Sequence, residues 1–502
     1  MTPQYLAFHA AERPDAIALI AQGREISFGQ FDQDLRKVHR ALQSLGRPAG
    51  SSAAVRCVDI YFHWLLLLGF ECLAVTTVSL DDREGDEAAP FLATIDLTLS
   101  DTPIAVPTGF HLITAEWKAA ILDGPTPAEP IAVDIDQTLP LRILRTSGTT
   151  GVPKRLHSMR PVRSAWLETI QWFLPFGIDT RLMMTLPFTV EGAYFAMTQC
   201  LRSGGTVIGV PFNQTSSIPS LLQRHRPTYM LLLPVQLKQL LDELPPGLGK
   251  WAGLTLVTFG GALGNELRAA AIQHVADRLF DVYGTNEAGI VSLRRAAGPD
   301  GVGIMVPGVH VELVDEEDRP LPEGQAGRIR IRGRATFHGY LDDPAANQRM
   351  IRGGWFYPGD VGILRGDRRL KILGRGDELL NIGGVKIGPD SLEDRVRSLV
   401  SLGDIGACSM RNTAGVGEVY LGVVKRAGDD DTVYSHLLQA VGTLGLGVFY
   451  VVKLDRVPRN PNGKIRRKQL KRAIADEILR HDPGWRSRVM LDPDELAGED
   501  PA

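Results

Sequence analysis

Cysteine is scarce: Cys57, Cys72, Cys200 and Cys408 are the only four in 502 residues, and no two of them form a C-x-x-C pair. That scatter argues against a disulfide framework and a zinc site, and fits reduced thiols in a cytoplasm. An excess of either charge is missing too, with 55 lysines and arginines against 58 aspartates and glutamates. Such a balance gives no reason to expect nucleic acid or anionic lipid as a partner. The first residues, Met1-Thr2-Pro3-Gln4-Tyr5, lead to Glu12, Arg13 and Asp15 without a basic start or an apolar stretch, so no signal peptide is expected. Residues 60–80 are the one tempting apolar run, interrupted by His63 and Glu71. Trp64-Leu65-Leu66-Leu67-Leu68 is helical in character and Ala74 to Leu80 turns β-branched, which predicts a buried helix running into a buried strand rather than a membrane span. Internal repeats and low-complexity tracts are absent.

The chain is long enough for two or more domains, each with its own core. Strand-like runs alternate with helical ones from Ala16 to about Phe280, the pattern of a parallel sheet covered by helices. A helix is expected from about Phe28 to Leu45, where Phe31, Leu35, Val38 and Leu42 recur at helical spacing. Residues 123–136, rich in proline, alanine and acid, read as a surface connection. Residues 182–188 read as a buried strand ending at Pro187. From Gly303 to Tyr340 strands with short turns dominate. Within Gly327-Arg328-Ile329-Arg330-Ile331-Arg332-Gly333 the arginines fall on one side and read as a solvated face. A small α+β region is expected from about Glu378 to Asp482, with a helix over 391–402 and a strand over 417–424. The polar, acidic chain beyond Asp482 reads as a mobile tail.

Chemistry is concentrated in a few stretches. In Arg145-Thr146-Ser147-Gly148-Thr149-Thr150-Gly151-Val152-Pro153-Lys154, six consecutive residues are hydroxylated or glycine, and a lysine closes the stretch. Glycines let the backbone approach an oxyanion, hydroxyls donate to it and lysine adds a compact charge, so the stretch suits a polyphosphate. It is not a Walker loop, because Pro153 precedes Lys154 and no hydroxyl follows it. Gly260-Gly261-Ala262, after a strand-like run, offers backbone that can approach a flat ligand. In Asp281-Val282-Tyr283-Gly284-Thr285-Asn286-Glu287, the tyrosine face suits a purine and the glutamate suits a hard cation beside phosphate. Asp360, in a Pro-Gly-Asp turn, can accept from both hydroxyls of a cis-diol. Each stretch alone has a plainer reading as a turn or strand end, and the basic run Arg459 to Lys468 reads alone as a solvated surface.

Taken together, in this order, these stretches resemble the adenylate-forming superfamily of acyl-CoA synthetases, luciferases and peptide-synthetase adenylation domains, most like a stand-alone acyl-CoA synthetase. The resemblance covers about residues 5 to 480. Arg155 stands where a glycine is usual, and Asn286 where threonine is common. The resemblance implies an α/β fold with a large N-terminal domain of helix-covered sheets and a barrel-like subdomain over residues 1–376. A small mobile α+β C-terminal domain over 377–482 and a polar tail over 483–502 would follow. It also implies residue roles. Thr146, Ser147, Gly148, Thr149, Thr150, Gly151 and Lys154 would restrain the phosphates of ATP, and Gly260, Gly261 and Ala262 would also line the nucleotide site, their backbone against a flat ligand. Tyr283 would stack on adenine, Asp281 accept from its exocyclic amine, Thr285 touch the α-phosphate and Glu287 hold Mg2+. Asp360 and Arg375 would meet the ribose, Asp377 would be the hinge, and Lys464 would be the catalytic lysine.

The reaction so implied joins a carboxylic acid to AMP and then passes the acyl group to a thiol, with ATP, Mg2+ and coenzyme A consumed or bound. The Gly383-Gly384 region would come over the adenylate in the second step. A separate acyl carrier protein or an amine is the alternative acceptor, and a non-catalytic nucleotide-binding scaffold is a further alternative. Amino-acid-activating relatives place an aspartate after the phenylalanine that Phe188 matches. Here Thr189 follows it, a poor counter-ion for a desolvated ammonium, although Glu191 stands two residues on. Thr189, Gly260 and Ile290 are the candidate acyl-pocket residues and favour an uncharged aliphatic or aryl chain.

Overall fold

The computed structural model describes the chain except residues 82–88, 105, 107–108, 133–135, 147–153, 212–216, 245–249, 296–300, 383–384, 414–416, 427, 431, 445–447, 461–462 and 491–502. Two large sheets carry residues up to 375. In one, the strands Ile17–Ala21, Thr206–Gly209, Arg181–Met184, Tyr229–Leu232, Trp251–Phe259 and Ala276–Thr285 run parallel side by side. In the other, Ser52–Arg56, Thr76–Ser79, Leu97–Ser100 and Pro140–Thr146 are parallel, and Pro140–Thr146 turns back antiparallel into Lys154–Met159.

The helices Ile60–Cys72 and Glu191–Arg202 are buried along nearly their whole length in the main core. A helix apolar all round has no face to give to water, which is why residues 60–80 look like a membrane span in sequence. Among the described residues no helix is long and apolar enough to cross a membrane. Asp59 starts the first of these helices by accepting from the Tyr61 and Phe62 amides.

The strands of the expected barrel-like part, among them Gly289–Arg295, Val302–Met305, Arg369–Arg375, Asp360–Arg365 and Ala326–Gly333, continue the first sheet in antiparallel fashion. Their arginine stripe is not a simple solvated face. Arg330 pairs with Glu312 at 2.5 Å, Arg328 pairs with Asp318 at 2.9 Å, and the Arg330 and Arg332 guanidinium groups lie 4.7 and 4.5 Å from the Trp355 ring centre. A flat guanidinium gains more on an aromatic face than in water alone, and alternation cannot reveal such a partner.

Beyond residue 376 a four-stranded sheet of Phe449–Lys453, Gly417–Val424, Asp404–Asn412 and Val489–Met490 packs against the helices Pro389–Arg397 and Arg467–His481. Its two apolar clusters draw only on residues beyond 376. Three expectations shift. The strand at 181–184 ends three residues before Pro187, and the helix expected over 391–402 spans Pro389–Arg397. The stretch read as a mobile tail begins by docking: Trp485 is buried, its Nε1 donates to the Tyr420 hydroxyl at 3.3 Å, and Val489–Met490 joins the sheet. One large aromatic ring holds down a segment whose average composition is polar. Residues 491–502 lie outside the described residues.

Candidate active site

Parallel sheets bind ligands beyond the carboxyl ends of their strands, where the chain turns away. Here Trp251–Phe259 ends at Gly260 and its neighbour Ala276–Thr285 ends just before Glu287. Gly260 takes a left-handed backbone, φ +80°, which glycine adopts freely. Two antiparallel strands bring Asp360 and Arg375 opposite one another in register. Residues far apart in sequence therefore converge at these strand ends.

Tyr283, Asp360 and Arg375 form one connected group. The Tyr283 hydroxyl donates to Asp360 Oδ2 at 2.5 Å, Arg375 Nη1 is 3.5 Å from Asp360 Oδ1, and Arg375 also donates to the Pro358 carbonyl at 2.5 Å. Asp360 is 8% exposed. Burial raises its pKa against the pull of Arg375, Tyr283 and Lys464. Burial and the Asp360 charge push the Tyr283 phenol well above its ordinary range. The group is thus a fixed aromatic and carboxylate surface of the kind that holds a nucleoside.

Glu287 and Lys154 form a second group through Tyr340. The Tyr340 hydroxyl donates to Glu287 Oε1 at 2.8 Å, and Lys154 Nζ lies 5.1 Å from the Tyr340 ring centre. Burial lowers the Lys154 pKa, with Arg349 adding to the effect and Asp343 and Glu287 opposing it. Among the described residues no cluster of three or more His, Cys, Asp or Glu could hold a metal. The single carboxylate of Glu287 fits a magnesium ion that takes most of its ligands from phosphate and water. Tyr340 carries no role in the motif reading. Its only sequence signal is its place in Phe337-His338-Gly339-Tyr340-Leu341, and its partnership arises because Tyr340–Leu341 pairs with Lys154–Met159.

The other expected residues have the following protein neighbours. Thr146 faces Lys154 at the base of its hairpin, while Ser147, Gly148, Thr149, Thr150 and Gly151 lie outside the described residues. The Thr285 hydroxyl accepts from the Ala288 amide at 3.0 Å, closing the turn that presents Glu287. Asp281 meets Thr258 at 3.1 Å and Arg294 at 2.9 Å, and Arg294 in turn donates to the Leu263 carbonyl at 2.6 Å. Asp281 therefore braces the chain that follows Gly260, Gly261 and Ala262. Asp377 stands 3.9 Å from Arg375, and Gly383 and Gly384 lie outside the described residues.

Lys464 arrives from the far end of the chain. A Cβ placed on Gly261 would stand 4.0 Å from Lys464 Cε, and the lysine charge acts on Asp360. Its loop is held by Asn460, whose Oδ1 accepts from the Lys464 amide at 2.9 Å and whose own amide donates to the Lys464 carbonyl at 2.8 Å.

On the acyl side, Thr189 and Ile290 are half-buried. Glu191 is 4% exposed, and its Oε2 accepts from Arg142 Nε at 3.0 Å. Arg142 also donates to the Ser79 hydroxyl and the Phe188 carbonyl, and lies 4.2 Å from the Tyr194 ring centre. The carboxylate is thereby committed to an arginine. Removing one partner of a buried pair strands the other, so Arg142→Met should lower the unfolding free energy by about 3–5 kcal/mol in a urea titration. Replacing Glu191 by leucine in the same chain should recover most of it, and an unchanged midpoint in the single variant would refute the pairing.

The model of the family described as AMP-binding enzyme matches residues 6–341. The chain is similar to the fatty acid–(acyl-carrier-protein) ligase ScoC of Streptomyces coeruleorubidus, 24% identical over 505 residues that cover 93% of this chain and 95% of that one. It is similar to 4-coumarate–CoA ligase 5 of Oryza sativa subsp. japonica, 26% identical over 526 residues that cover 95% and 96%. In three dimensions it resembles ATP-bound MatB of Rhodopseudomonas palustris with a TM-score of 0.82 at 20% identity, covering 95% of this chain and 100% of that one.

Proposed function

Because the chain belongs to the AMP-binding enzyme family, we propose that it activates a carboxylic acid with ATP as an acyl-adenylate and then transfers the acyl group to a thiol, that of coenzyme A. The observation that carries this reading is the convergence of Lys464 with Gly261 and Asp360, which lie far from it in sequence. A nucleotide-binding scaffold has no use for a lysine delivered there.

In the first step a carboxylate oxygen attacks the α-phosphorus, the bond to the bridging oxygen breaks, and pyrophosphate leaves. Tyr283, Asp360 and Arg375 hold the nucleoside. Lys154 faces the departing phosphates, and Glu287 would hold the magnesium ion that screens their charge. Lys464 draws the carboxylate and the α-phosphate together. A unit charge pair at about 4 Å gains roughly 1 kcal/mol in water but roughly 4 kcal/mol at an effective dielectric near 20, so the lysine acts only inside a closed site. In the second step residues 377–482 turn about Asp377, withdraw Lys464 and let the thiol sulfur attack the acyl carbon. AMP leaves with the former carboxylate oxygen, and the thiol proton passes to solvent.

The Glu191–Arg142 pair supports a substrate without an α-ammonium, since the Glu191 carboxylate already has a cation. Relatives that use coenzyme A and one that uses a carrier protein leave two thiol sources, which a direct comparison separates. A panel of aliphatic, aryl and amino acids should give pyrophosphate release chiefly with the neutral aliphatic or aryl acids, and acyl-CoA when coenzyme A is added. Acyl transfer to a carrier protein with none to coenzyme A would replace the acceptor, and turnover of α-amino acids alone would overturn the substrate class.

A further inference from the structure

Three consecutive residues, Leu233, Pro234 and Val235, stand at the start of the helix Pro234–Glu243, and each touches a different glycine of the site. A Cβ on Gly260 would stand 3.1 Å from Leu233 Cδ2, and one on Gly261 would stand 3.7 Å from Pro234 Cγ. One on Gly463, the residue before Lys464, would stand 2.5 Å from Val235 Cβ and within 2.9 Å of both its methyls. Gly463 also has φ +77°, so backbone and space both demand glycine there. The Val235 Cβ is fixed in place by the backbone and has no rotamer by which to retreat, unlike the tip of a long side chain.

The three residues are themselves held firmly. Gln236, 2% exposed, accepts from the Leu233 amide at 3.0 Å and donates to the Thr185 carbonyl at 3.2 Å, while the Thr185 hydroxyl lies 3.2 Å from its Oε1. The helix start is thus tied to Thr185, the residue that follows the strand Arg181–Met184. A second contact of the same kind lies nearby: the Asp394 carboxylate, from the C-terminal region, fills the space at Gly264 where a side chain would begin.

We propose that Val235 is a positioning residue for the lysine: it seats Gly463 so that Lys464 stands beside Gly261, while Leu233 and Pro234 register the glycine turn on the same support. This rests on the reading of Lys464 as the adenylation lysine. Val235 is not among the residues to which the mechanism assigns the nucleotide or the acid. It acts only in the arrangement that has the lysine loop in place, so its loss should slow adenylate formation and spare thiolysis. The contact is one of shape, so a substitution that keeps the shape should keep the function.

Three variants test it. Val235→Phe should lower carboxylate-dependent ATP–pyrophosphate exchange roughly a hundredfold, the loss expected when a catalytic group is displaced by about 1 Å. Thiolysis of supplied acyl-adenylate should be unchanged, and Val235→Thr, nearly identical in shape, should stay close to wild type in both. A readout independent of activity is tryptic cleavage after Lys464, which should quicken in Val235→Phe and not in Val235→Thr. Gly264→Ala should show a smaller loss of exchange, because the Asp394 carboxylate can swing aside. If Val235→Phe leaves exchange and cleavage at wild-type rates, or slows exchange and thiolysis equally, the seat is wrong. If the wild type shows no exchange with any acid, the proposed function fails while the cleavage comparison still decides the seat.

Discussion

Lys464→Ala should lose carboxylate-dependent pyrophosphate exchange by roughly 100- to 1000-fold, the range found when one charge-stabilising donor is removed from a closed site, while thiolysis of supplied acyl-adenylate survives. The asymmetry follows from the structure. Lys464 lies at the exposed edge of its loop, yet its aliphatic stem reaches Gly261 and its charge acts on Asp360. Alanine removes the cation without disturbing the loop, since Asn460 holds the backbone amide and carbonyl of residue 464 rather than its side chain. Stability should therefore be unaffected, and the loss should appear in turnover more than in ATP binding, which the proposed mechanism assigns to Tyr283, Asp360 and Arg375. Full exchange activity in this variant would remove Lys464 from the mechanism.

Glu287→Gln should cut adenylate formation by roughly 100-fold and shift its magnesium dependence to higher concentration, because the amide keeps the shape and loses the charge a hard cation needs. The Tyr340 hydroxyl can donate to an amide oxygen as it does to Glu287 Oε1, so the local packing is preserved. The variant thereby separates metal binding from structure. An unchanged magnesium titration would show that Glu287 serves only as the acceptor for Tyr340 and that the cation is held elsewhere.

How far the sequence anticipates this site depends on the kind of contact. Residues proposed to act as one contiguous stretch, such as Thr146 to Lys154 or Gly260-Gly261-Ala262, announce themselves by composition, because the same few positions carry glycine, hydroxyl or cation together. Asp360 and Tyr283 carry residue types that suit a ribose and a purine, but their hydrogen bond joins positions 77 apart and no local pattern encodes it. Tyr340 is legible only after its strand is paired with the one that carries Lys154. Asp281 looks like a ligand group in sequence, and its contacts with Thr258 and Arg294 are not legible there because they come from the neighbouring strands on either side. Val235 is the extreme case: a valine after a proline has no chemical signature, and its role arises from the missing side chain of Gly463. The same reason explains the docked segment at 483–490, where one buried tryptophan outweighs polar neighbours.

The central claim is that a carboxylate oxygen attacks the α-phosphorus, and isotope transfer reads that bond directly. A carboxylic acid labelled with 18O in its carboxylate, incubated with ATP, magnesium and coenzyme A, should yield AMP carrying one labelled oxygen and unlabelled pyrophosphate. Label in orthophosphate with formation of ADP, label in pyrophosphate, or acyl-CoA formed with unlabelled AMP would contradict it.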